Sequence, residues 1–119
     1  MAFEATDKEK VLESLMAARR QGQLAELSLR FQDRTDEAER IWESTARLST
    51  EIDIMLGKIM DEWRGRAEQV LKGLSAATAK LETAVSGIKK SVQTAQNVVK
   101  VVGLLDDAVA IAKKAFLAA

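Results

Sequence analysis

Apolar side chains recur at seven-residue intervals along most of this 119-residue chain, and no proline interrupts them. A seven-residue repeat places its apolar members on one stripe of an α-helix, and that stripe is buried against another helix. The six glycines stand singly, and the commonest residues are ones that helices tolerate at low cost. The pattern therefore predicts an all-α fold of long, coiled-coil-like helices.

The first repeat begins at Leu24 and ends near the middle of the chain. Its members are Leu24, Phe31, Ala38, Thr45, Ile52 and Ile59, with the companion series Leu27, Arg34, Ile41, Leu48 and Met55. The repeat keeps its phase through the polar segment 32–37, which favours a continuous helix there over a loop. Before Leu24 the apolar face lies out of phase near Gly22, so a separate short N-terminal helix is the alternative for that segment.

A second repeat occupies the C-terminal half. Its members are Ala67, Leu74, Leu81, Ile88, Ala95, Val102, Val109 and Phe116, with the companions Val70, Ala77, Ala84, Ser91, Val98, Leu105 and Ala112. The steps from Met55 through Ile59 and Trp63 to Ala67 are all of four residues, whereas a heptad alternates three and four. The two repeats are therefore out of phase, which is typical of a turn between two helices.

We predict one helical domain, 1–119, folded as an elongated antiparallel hairpin with arms 7–62 and 66–118 and a turn at 63–65. Each arm would be about 80 Å long if straight. Nearly equal arms favour a hairpin over one rod, and a single continuous helix with a central discontinuity is the alternative. Such hairpins are expected to dimerise into a four-helix bundle. The predicted packing seam is Ile41, Leu48, Ile52, Met55, Ile59, Leu74, Leu81, Ile88, Val102, Val109 and Phe116.

Residue types needed for most catalysis are missing from the sequence. There is no Cys, His or Tyr, which removes thiol nucleophiles, imidazole general bases and the usual zinc and di-iron ligands. Carboxylates such as Glu39 and Glu43 follow one helix and do not converge on an ion. We predict no enzymatic activity, no catalytic, cofactor or metal site, no cofactor and no small-molecule substrate.

The net charge is zero, but its distribution is uneven. Residues 1–66 hold 14 acidic and 11 basic side chains, whereas 67–119 hold 4 acidic and 7 basic ones. The halves are therefore complementary, at −3 and +3, and would attract each other when antiparallel. Neither is basic enough to predict nucleic-acid binding.

The C-terminal segment has one broad apolar face, which raises the question of membrane contact. In residues 103–119 the charges on the opposite face balance and give no attraction to anionic lipid, so packing of the segment 98–119 on the first arm is favoured over membrane binding. The N-terminus lacks a signal-peptide pattern, and no 18 apolar residues run uninterrupted. We expect a soluble protein, either cytoplasmic or secreted without a cleavable signal peptide.

One short motif, Trp63-Arg64-Gly65, lies near the centre of the chain between the two amphipathic halves. Here the sequence resembles the WXG100 (ESAT-6-like) family of small helical hairpins with a Trp-x-Gly turn, over roughly 23–119. The resemblance implies export by a type VII secretion machine as a homo- or heterodimeric four-helix bundle. It also implies that Trp63 packs at the hairpin end where partners make contact, and that Gly65 allows the turn. Residues 1–22 lie outside the resemblance, and without Tyr the chain lacks the family's Tyr-x-x-x-acid export signal.

The functional prediction is a non-enzymatic helical interaction protein of WXG100 type, secreted or a partner of a secreted protein. It would act through homo- or hetero-oligomeric helix packing. The alternatives are a structural coiled-coil or filament subunit, and a membrane-active helical protein that uses residues 98–119.

Overall fold

All regular secondary structure is helical in the residues that this computed structural model describes, which are 5–58, 63 and 67–116. Those ranges contain four α-helices and no strand, so the prediction of an all-α fold is confirmed. The helices are α1 (Ala5–Phe31), α2 (Thr35–Gly57), α3 (Ala67–Lys89) and α4 (Thr94–Lys113), and a 3-10 turn, Lys114–Phe116, follows α4.

The four helices pack as a bundle of two antiparallel hairpins. α1 packs against α2 and α3, and α4 packs against the same two helices, so α2 and α3 occupy opposite corners. At the end of the bundle that carries both hairpin turns, Gln32 Nε2 donates to the Ile88 carbonyl at 2.8 Å. This bond joins the C-terminal ends of α1 and α3, which therefore run in the same direction. The bundle measures 46 × 22 × 20 Å.

The structure differs from the predicted hairpin because each of its two arms is divided. Arm 7–62 turns at 32–34, and arm 66–118 turns at 90–93. The longest dimension, 46 Å, is accordingly little more than half of the about 80 Å expected of a straight arm. The turn predicted at 63–65 lies, except for Trp63, outside the described residues.

Both turns end their first helix with the same hydrogen bonds. The Arg34 N–H donates to the Leu29 carbonyl at 2.9 Å, and the Val92 N–H donates to the Gly87 carbonyl at 2.9 Å. The residues just before these donors, Asp33 and Ser91, have φ of 58° and 56°. A left-handed residue that closes such a six-residue loop defines a Schellman cap, which usually employs glycine. The polar segment 32–37 therefore contains a turn, and the seven-residue series read across it, from Leu24 to Ala38, does not follow one continuous helix.

The buried positions of the first helix of each hairpin have the same spacing. The apolar residues buried in α1 are Val11, Leu15, Ala18, Ala25 and Leu29, and their counterparts in α3 are Val70, Leu74, Ala77, Ala84 and Ile88. Val70 follows Val11 by 59 residues, and every later pair keeps that spacing. Gly22 and Leu81, both buried, complete the correspondence. The two hairpins thus present equivalent faces to a common core.

The predicted packing seam coincides with the core in α2 and α3 but not throughout. Buried seam residues are Ile41, Leu48, Ile52, Met55, Leu74, Leu81 and Ile88. In α4, Val102 and Val109 are only partly buried, because the companion residues Val98, Leu105 and Ala112 face the centre. Ile59 and the side chain of Phe116 lie outside the described residues. In α1, Leu27 and Phe31 are 50% and 79% exposed. The buried face of this helix is the series from Val11 to Leu29, and neither residue belongs to it.

Gly22 marks the closest approach of three helices. A Cβ at this position would lie 2.5 Å from Thr45 Oγ1 of α2 and 3.1 Å from Leu105 Cδ1 of α4. Thr45 is 5% exposed, and its hydroxyl donates to the Ile41 carbonyl at 2.9 Å, so it cannot rotate away without losing that bond. Glycine therefore allows α1 to pack directly on α2 and α4.

We expect Gly22→Ala to lower the free energy of unfolding by about 1–2 kcal/mol, because overpacking outweighs the better helix propensity of alanine. Gly103→Ala is the matched control, since a Cβ there meets nothing within 4 Å. This control should raise the free energy of unfolding by about 0.5–1 kcal/mol. Urea unfolding followed by circular dichroism measures both. Equal stabilisation by the two substitutions would contradict the close packing at Gly22.

The left-handed conformation of Ser91 generates a second prediction. Ser91→Gly should raise the free energy of unfolding by about 0.5–1 kcal/mol, since relief of a left-handed L-residue exceeds the extra chain entropy of glycine. Ser75→Gly, at an exposed position inside α3, should instead lower it by about 0.5 kcal/mol. The same urea titration compares the variants, and destabilisation by Ser91→Gly would exclude the left-handed cap.

Candidate functional site

Trp63 lies at the end of the bundle opposite the two hairpin turns. The Lys8 ammonium is 5.6 Å from the centroid of the indole ring, and it also donates to the Lys58 carbonyl. These contacts join the beginning of α1 to the residue that follows α2. Trp63 is 4% exposed and belongs to the core cluster. The indole is therefore covered by residues of its own chain, and Gly65, the other residue of the predicted partner interface, lies outside the described residues.

The ammonium and the indole stabilise each other through a cation–π contact, in which the positive charge lies over the negative face of the ring. Lys8 reaches this position because α1 extends beyond the end of α2. Lys58 has an extended backbone, φ −84° and ψ 135°, and its N–H donates to the Met55 carbonyl. Lys8 thus helps to close the bundle at the point where α2 ends.

Large apolar side chains are also exposed, most of them on the first hairpin. Between 37% and 79% of the residue is exposed at Met16, Leu27, Phe31, Trp42, Ile54, Leu56, Val92 and Val99. Phe31, at 79%, and Trp42, at 54%, are the two aromatic members. The interface predicted from the sequence did not include Trp42. A signal was nevertheless present, because Trp42 follows the seam residue Ile41 and is therefore turned about 100° away from the seam around the helix.

Trp42 stands among carboxylates on one side of α2. Exposed Glu39, Glu43 and Asp53 share with it about 100° of the helix circumference. We call these four residues the α2 ridge. As a whole, α2 carries six acidic and two basic side chains, so the tryptophan lies in a negative field.

Trp42, at one edge of the ridge, lies on the outer face formed by α1 and α2. Arg47 marks the side of α2 that faces α4, because its Nη2 donates to Asp106 Oδ1 at 2.9 Å. Trp42 precedes Arg47 by five residues and is therefore about 140° away around the helix. The same arginine nitrogen donates to the buried Ser44 Oγ at 2.9 Å, so Arg47 is anchored between α2 and α4.

A groove runs between α3 and α4 on the opposite face of the bundle. It has a volume of about 480 Å³ and is lined by Lys80, Thr83, Ala84, Asn97, Lys100, Gly103, Leu104 and Asp107. Ala84 and Leu104 form an apolar floor, and Gly103 adds no side chain to it. The exposed charges at its mouth are Lys80, Lys100 and Asp107, so the rim is positive overall. We call this the α3–α4 groove.

The remaining polar groups form helix-to-helix and capping contacts. Arg34 donates to the Glu37 carboxylate at the start of α2, and this hydrogen bond raises the pKa of the Arg34 guanidinium above its ordinary value. No group of three or more Asp or Glu side chains within 5–58, 63 and 67–116 is placed to hold a metal ion. These contacts stabilise the bundle, and none of them pairs a nucleophile with a base.

The apolar face of the C-terminal segment is packed into the bundle. Its buried members are Leu105, Ala108, Ala112 and Ala115, and its partly buried members are Leu104, Val109 and Ile111. None of the helices in the described part of the chain combines the length and apolar content needed to cross a bilayer.

The two tryptophans provide a matched pair of substitutions. Trp63→Ala should lower the free energy of unfolding by about 3–5 kcal/mol, because it leaves a cavity in the core and removes the partner of Lys8. Trp42→Ala should lower it by less than about 1 kcal/mol, because the side chain is already half in water. Urea unfolding measures both losses. Similar losses would contradict the different environments of the two indoles.

Comparison with known proteins assigns the chain to no family. No family model, curated protein or solved structure matches the chain.

Proposed function

We propose that the chain is a non-enzymatic helical interaction protein that acts by packing its outer helical faces against another copy of itself or a helical partner. The observation that carries the proposal is Trp42, which is 54% exposed amid the acidic side chains of α2. Tryptophan is enriched among the residues that dominate interface energies, because a large apolar surface is removed from water when it is covered.

The proposed oligomer joins complete four-helix units. In the predicted dimer, two chains each contribute a hairpin of two helices to one bundle. A single chain supplies four packed helices, and the seam residues of α2 and α3 are already buried within it. Association would therefore use exposed residues such as Trp42 and leave the core unchanged.

The resemblance to the WXG100 family extends the proposal to type VII secretion. Its support is the motif Trp63-Arg64-Gly65, which falls between the two hairpins. Trp63 is covered by Lys8, a residue outside the region of resemblance, so we assign partner contact to Trp42 and bundle closure to Trp63.

A filament subunit is the second candidate, and the division of charge between the hairpins favours it. Residues 67–116 hold four acidic and seven basic side chains, whereas α2 is strongly acidic. Copies could therefore attract each other through unlike faces. The membrane-active alternative would require α4 to leave the bundle, because its apolar face is packed against the other helices.

Sedimentation equilibrium over a range of protein concentrations tests the proposal. We expect the wild type to associate as its concentration approaches about 1 mM, in keeping with a small interface. Trp42→Ala should weaken this association at least tenfold, which is about 1.4 kcal/mol of binding energy.

The control is Ile54→Ala, which also removes an exposed apolar side chain from α2, but about 120° away from Trp42 around the helix. It should leave association unchanged. A wild type that stays monomeric throughout, or equal effects of the two substitutions, would contradict the assignment of the interface to Trp42.

A further inference from the structure

We propose that the α3–α4 groove is the docking site for the α2 ridge of a second copy of this chain. The inference rests on the proposed function and deepens it, since it names both surfaces of the contact and predicts how copies propagate.

Opposite charges on the two surfaces are the first support. The ridge presents Glu39 and Glu43, one helical turn apart, and the groove presents Lys80 and Lys100 on its two walls. Asp107 also lies at the groove, but the two lysines outnumber it, and the groove has a net positive charge. Juxtaposed charges of opposite sign orient partners and speed their encounter.

The shapes of the two surfaces are the second support. The floor of the groove is made by Ala84 and Leu104, and at Gly103 a Cβ would have no neighbour within 4 Å. The open space lies between two helices, which is where an amphipathic helix inserts its apolar anchors. On the ridge, Trp42 is the apolar anchor beside the carboxylates, and a volume of about 480 Å³ accommodates its indole.

The positions of the two surfaces determine the kind of assembly. The ridge lies on the outer side of α2, with Trp42 toward α1, and the groove lies between α3 and α4, on the face away from α1 and α2. When one copy docks its ridge into the groove of another, the first copy keeps a free groove and the second keeps a free ridge. Such a heterologous contact leaves one free surface on each copy, so further copies add at both ends until the rotation between copies closes a ring.

The expected affinity is low. One helix laid in one groove buries less surface than a standard stable interface, so the contact belongs to the weak class. Because its charges are near the surface, salt should screen them, and association should fall as ionic strength rises from about 0.05 to 0.5 M.

Charge exchange between the two surfaces tests the pairing. The groove variant Lys80→Glu/Lys100→Glu and the ridge variant Glu39→Lys/Glu43→Lys should each be monomeric alone, because each variant brings like charges together. An equimolar mixture should associate again, since the ridge of either variant then meets a groove of opposite charge. Sedimentation velocity at low salt measures the masses, and circular dichroism shows whether each variant is folded.

Gly103→Leu tests the same site without changing charge. The added side chain has room within the monomer and fills the groove, so association should weaken at least tenfold while the helix is retained. This variant keeps the inference testable even if a double charge reversal unfolds the bundle.

The outcomes separate this inference from the proposed function. If the wild type associates but Gly103→Leu or the mixed charge variants behave otherwise than expected, the groove assignment is overturned and the interaction role stands. If the wild type is monomeric at every concentration and salt, the inference and self-association through Trp42 are both overturned.

Discussion

The close approach at Gly22 determines how the other helices can be arranged. Because this position has no side chain, the backbone of α1 lies directly against Thr45 of α2 and Leu105 of α4. The diagonal pair α1 and α4 therefore comes close enough to fill the centre of the bundle with small and medium aliphatic side chains. A chain with only five aromatic residues depends on such tight packing, since it has few large rings to fill gaps.

The fold class and much of the core follow from the sequence, because the seven-residue spacing of apolar side chains shows which side of a helix is buried. Ile41, Leu48 and Ile52 are buried as the seven-residue spacing indicates. The hairpin turns could not be foreseen in the same way. Asp33 and Ser91 adopt the left-handed conformation that usually signals itself through glycine. Apolar residues also recur at seven-residue spacing across each turn, although Leu27 and Phe31 before the first turn are exposed. Periodicity describes each helix separately and does not report whether two helices are joined.

The two tryptophans illustrate the same limit at the surface. Trp63 attracts notice through a short motif, yet its side chain is buried beneath Lys8. Trp42 belongs to no motif, and only its place beside the seam, about 100° around the helix from the buried Ile41, indicates its exposure. The groove could not be predicted from the sequence at all, because its walls come from two helices whose alignment depends on the turn at 90–93. A repeat can place a residue on a face, but the depth of a groove between faces depends on tertiary packing.

The equivalent spacing of buried residues in α1 and α3 has a consequence for how the chain closes. A hairpin that left its own bundle would find matching core positions on a hairpin of another molecule, so exchange between two chains would conserve the packed interior. The closed single chain and the exchanged pair would differ mainly in the path of the segment that joins α2 to α3. A short tether holds the two hairpins at an effective concentration in the millimolar range, which favours the closed form in dilute solution. The buried positions of α1 and α3 would therefore fit a partner hairpin in the same chain or in a second one.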